Sequence, residues 1–63
     1  MTMYGAIAEG ERRCRELGKS YNISRHVHAR DYIVQEKSRP LPIGYITIAI
    51  VHDDGVVQKL RAE

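Results

Sequence analysis

Met3, Ile7, Gly10, Cys14 and Leu17 recur at steps of four, three, four and three residues. That spacing lines one face of an α-helix. Thr2 stands where an N-cap side chain belongs, and Gly18 where a left-handed residue stops a helix. Glu9–Arg13, Glu11–Arg15 and Arg12–Glu16 are spaced to pair at i,i+4 on the solvent side. The pattern predicts a helix between Thr2 and Gly18. Gly10 is a poor helix former inside the apolar stripe, so it predicts a close approach of the helix backbone to a sheet.

After the short connection 19–22, the alternation over 26–30 and the β-branched and aromatic residues of 23–36 favour a strand over a second helix. Read as one strand, Ile23, Val27, Ala29 and Ile33 share a face. Ser24, His26, His28, Arg30 and Tyr32 share the other. Pro40 and Pro42 make 37–42 a loop, because proline breaks helices and central strands alike.

Residues 43–52 are almost wholly apolar and uncharged, and Asp53-Asp54-Gly55 follows. Asp-Gly is hairpin-turn chemistry, so 43–52 and 56–61 should pair. A two-residue turn sets His52 opposite Val57 and Ala49 opposite Leu60; a three-residue loop shifts that register by one. Strand 43–52 is apolar on both faces and takes the central place. Ile46, Ile48 and Ile50 form the face expected to meet the helix. Tyr45, Thr47, Ala49 and Val51 form the other. The expected fold class is α+β: an N-terminal helix packed on a three-stranded antiparallel β-meander (αβββ).

With 63 residues, the chain makes a single small domain, 1–63, of a size that is marginal alone. Its lone Cys14 excludes an internal disulfide, and no Cys/His spacing matches a zinc site. Oligomerisation is the remaining support. One helix cannot cover both faces of strand 43–52, so a homodimer is expected. No secretory leader is legible at the N-terminus and no run reaches membrane-spanning length. A cytoplasmic, non-membrane protein is the expectation.

The net charge of +2 is unevenly spread: residues 1–30 hold five Arg and one Lys against three Glu. His26-x-His28 could chelate, but two ligands are too few for a metal site. His52-Asp53-Asp54 resembles an acid–base cluster, yet the two Asp fit a turn better. Cys14 lies in the helix stripe and reads as core rather than nucleophile. No phosphate loop, nucleophile elbow or dinucleotide-binding glycine pattern is present. The expectations are no enzymatic activity, no metal and no cofactor.

Two functional readings follow. The leading one is a small protein-binding or inhibitor-type accessory protein, with Tyr32, Tyr45, Thr47 and Val51 as candidate contacts, because aromatic and apolar anchors carry interface energy. The alternative is a nucleic-acid-binding regulator using Arg12, Arg13, Arg15, Arg25, His26, His28 and Arg30. It would be a helix-turn-helix whose second helix opens at Asn22-Ile23-Ser24-Arg25, with the hairpin as a wing, or a sheet laid in a groove.

Overall fold

A computed structural model describes residues 2–60. Helix α1 spans Met3–Leu17, followed by strands β1 Tyr21–His26, β2 Tyr32–Glu36, β3 Tyr45–Val51 and β4 Val57–Lys59. The strands form one antiparallel sheet in the order β2-β1-β3-β4. The class is α+β as expected, but the sheet has four strands and is not a three-stranded meander.

The helix forms as its sequence predicts. Thr2 Oγ1 accepts from Gly5 N–H at 3.0 Å. Gly18 closes the other end at φ 68°, its N–H donating to Cys14 O. Ala6, Ile7, Gly10 and Cys14 are buried beneath it. Leu17 departs from the expected stripe and is exposed, because the last turn runs past the sheet. Gly10 makes the close approach: a Cβ there would lie 2.8 Å from Ile23 Cδ1 and 3.2 Å from Val51 Cγ2.

The single strand expected over 23–36 is two. His26 N–H donates to Asp31 O at 2.9 Å and closes a hairpin over residues 27–30. This loop contains neither Gly nor Pro and needs no residue at positive φ. The alternation therefore runs through it without a mark in the sequence. Val27, His28, Ala29 and Arg30 belong to no sheet face.

The facing assigned to β3 also changes. Ile23 pairs with Ala49, but Ser24 pairs with Thr47, which leaves Ile48 as the extra residue of a β-bulge. A bulge shifts the side-chain parity of everything beyond it. Ala49 and Val51, expected on the outer face, are buried with Ile48 in the helix-side core, and Ile46 packs against it. Ile50 turns away, pairing with Asn22 and Gln58.

The second hairpin takes the three-residue register. Val51 pairs with Val57, His52 N–H donates to Val56 O, and Gly55 has φ 91°. Residue 61, the expected end of this strand, lies outside the described residues.

β2 and β3 flank β1 and run parallel, so residues 37–44 are a crossover. By strand alternation, Asn22, Ser24, Ile33, Gln35, Thr47 and Ile50 face away from α1. α1 occupies the other face, so 37–44, which joins β2 to β3 across β1, runs on this side, where Gly44 closely approaches the His26 ring. Ser24 is fully buried there, and the side-chain oxygens of Asn22 and Ser24 are occluded without a hydrogen-bond partner among the described residues. The chain itself thus covers part of the face for which the sequence predicts a second copy.

The Gly10 contact yields a test. Gly10→Ala should lower stability by about 1–3 kcal/mol through overpacking, although alanine is the better helix former by about 1 kcal/mol. Ile23→Val removes the Cδ1 atom that the new methyl meets. Thermal melts of the four proteins of this double-mutant cycle should show the pair costing less than the sum of the single changes.

Candidate binding groove beside the edge strand

The candidate contact residues do not form one surface. Val51 is fully buried, so it cannot touch a partner; the β-bulge explains why. Tyr32 packs against the core. Tyr45 and Thr47 are half-buried on the opposite face. Tyr45 is also engaged locally: its hydroxyl donates to the Asp31 carboxylate, and its ring meets His26 edge-on at 5.1 Å.

The candidate nucleic-acid residues are divided as well. Arg12 and Arg13 both bond Glu9, at 2.6 and 2.8 Å, and Arg12 also holds Glu16 at 3.0 Å. The Arg12 and Arg13 hydrogen bonds hold the Glu9 carboxyl down at about 2. Hydrogen bonds to Glu9 and Glu16 in turn hold Arg12 above its ordinary value. Arg15 lies on the exposed side of α1, and Arg30 in the 27–30 turn. Arg25 donates to His26 O. His26 Nδ1 accepts from His28 N–H at 3.1 Å, with the rings 6.1 Å apart. The helix-turn-helix form fails on geometry, because Asn22–Arg25 lies within β1 and α1 is the only helix among the described residues.

Residues with chemical potential are likewise engaged. The Cys14 thiol is buried and donates to His52 O at 3.3 Å. His52 Nε2 bonds Gln58 Oε1 at 2.9 Å, and Asp54 Oδ1 accepts from Val56 N–H. Among the described residues, no three His, Cys, Asp or Glu side chains converge as a metal site. No helix among them is long and apolar enough to cross a membrane.

A concavity lies elsewhere, along the outer side of β2. It measures about 520 Å³ and runs between the second half of α1 and the start of the crossover. Leu17, Tyr21 and Val34 supply its apolar lining; Arg12, Arg13 and Arg39 supply cations. Sequence reading missed it because its parts are distant in the chain and no motif marks them. The exposure of Leu17 follows from its place on the groove wall.

Backbone polarity gives this groove its character. His26 N–H bonds Asp31 O, and Lys37 N–H bonds Ser20 O. Hydrogen-bonded pairs alternate in an antiparallel ladder, so Asn22–Gln35 and Ser24–Ile33 are the bonded pairs between them. Ile33 and Gln35 thus direct their backbone groups at β1, and those of Val34 point outward. Val34 O accepts instead from Arg13 Nη1 at 3.2 Å. Unpaired edges template further strands, and charged side chains are a common guard against this. Arg13 guards this one from the side.

The chain matches no protein-family model, no curated protein and no solved structure.

The Tyr45–Asp31 bond sets a measurable titration. Asp31 accepts the phenolic proton and its charge opposes phenolate formation, so Tyr45 ionises above the ordinary tyrosine value near 10. The bond therefore contributes below that value and is lost as pH rises through the raised one. In a spectrophotometric titration, one tyrosine should ionise late, and Asp31→Asn should bring it earlier.

Proposed function

We propose that this chain is a small, non-enzymatic protein-binding protein whose contact surface is the groove beside β2. The observation that carries this reading is the outward-facing backbone of Val34, set in a groove with an apolar lining. Strand edges of this kind recognise protein segments through main-chain hydrogen bonds, and flanking side chains add specificity. Cys14, His52, Asp54 and Tyr45 are engaged in local bonds outside the groove, and the groove carboxylates Glu16 and Glu36 are held by Arg12 and Lys19.

The nucleic-acid reading has weaker support. Arg12 and Arg13 are committed to acidic partners on their own helix, whereas phosphate recognition relies on cations that phosphates can neutralise. The strand positions facing away from α1 carry no Lys or Arg: Asn22, Ser24, His26, Ile33, Gln35, Tyr45, Thr47, Ile50 and Gln58.

Site-specific photo-cross-linking in a host extract separates the two. A benzophenone side chain at Gln35 should give a discrete protein adduct that survives nuclease. The same group at Ala8, on the exposed side of α1 and outside the groove, should give none. Nuclease-sensitive adducts, or equal yields from both positions, would contradict the proposal.

A further inference from the structure

The charges around the groove specify its occupant further. Glu16 is held by Arg12 at 3.0 Å, and Glu36 by Lys19 at 3.3 Å. Glu9 holds Arg12 and Arg13. Arg39 lines the groove and makes no ion pair among the described residues. The groove therefore presents one uncompensated guanidinium beside an open strand edge, with Leu17 exposed as an apolar wall.

We infer that the groove takes an extended peptide segment carrying a carboxylate, which adds to the sheet as a fifth strand beside β2. This rests on the protein-binding reading and names the partner's chemistry. Val34 N–H donates to a carbonyl of the incoming strand. The Val34 carbonyl now accepts a long bond from a half-exposed Arg13, so an incoming N–H can take Arg13's place. One side chain of the segment rests on Leu17 and Val34. A neighbouring carboxylate meets Arg39, whose planar fork suits bidentate pairing.

A second copy of the chain is the competing occupant. In a second copy the groove carboxylates Glu16 and Glu36 are already held by Arg12 and Lys19, whereas an acidic segment brings a free anion to Arg39.

The test uses three fluorescein-labelled peptides of alternating valine and threonine, identical except for a central glutamate, glutamine or lysine. Fluorescence anisotropy with the full chain should show the glutamate peptide binding about tenfold more tightly than the lysine peptide, the difference that one charge-assisted contact supplies. Hydrogen exchange on the unmodified protein should show the Val34 amide slowing when the glutamate peptide is added. Arg39→Ala should make the glutamate and glutamine peptides equal without changing the melting temperature.

Equal binding of all three peptides, or none, would overturn the proposal, as would a Val34 amide that stays fast in the presence of the glutamate peptide. A Val34 amide already protected in the free protein, with a dimer by sedimentation equilibrium, would overturn it in favour of the second copy. A nuclease-resistant adduct at Gln35 without any peptide preference would sink this inference alone and leave the protein-binding reading standing.

Discussion

The contact between Gly10 and Ile23 holds the two layers of this domain together. Ile23 sits in β1, which has neighbours on both sides, and its side chain is fully buried against the only helix among the described residues. Burying an isoleucine contributes about 1.5–3 kcal/mol, a large share of what a domain this small can hold. A side chain at residue 10 would lift the helix off Ile23 and Val51. The helix leans over β1 and β2 because this is where it can come closest. The groove along the β2 edge is a consequence of that lean: Leu17 and Arg13 project past the sheet instead of onto it.

The helix was legible because its signals are local. Thr2, the apolar stripe and Gly18 agree with one another, and a fifteen-residue helix needs little else to be recognised. The second hairpin was legible for the same reason, since Asp54-Gly55 is a strong turn signal. What failed were features that depend on tertiary pairing. The turn at 27–30 contains no Gly or Pro. The bulge at Ile48 is an extra residue that only the partner strand reveals, and it reversed the faces of Ala49, Ile50 and Val51. Val51 was lost as a contact residue on that account. Residues 37–42 of the crossover were recognised as a loop from Pro40 and Pro42, whereas Ile43 and Gly44, expected to open the strand, lie in a turn before it.

The groove was not legible at all, and the reason is physical. It combines the last turns of α1, the edge of β2 and the first residues of the crossover. No periodicity links Leu17, Val34 and Arg39. Of the arginines that drew attention in the sequence, Arg12 and Arg13 are neutralised by acids one helical turn away, whereas Arg39 is less conspicuous between Ser38 and Pro40. A count of basic residues supported only the alternative, nucleic-acid reading, and the arrangement of their partners is the ground on which we propose an acidic strand. Self-association lost part of its rationale in the same way, once the crossover supplied cover that the helix could not.

The groove depends most on β2 being an unpaired outer strand bonded to β1 through Ile33 and Gln35. Amide hydrogen exchange of the free protein, read residue by residue, tests this directly. The amides of Ile33 and Gln35 should exchange slowly, and that of Val34 between them should exchange fast. Uniform protection along 32–36, or slow exchange at Val34 with fast exchange at its two neighbours, would contradict the edge assignment and with it the groove.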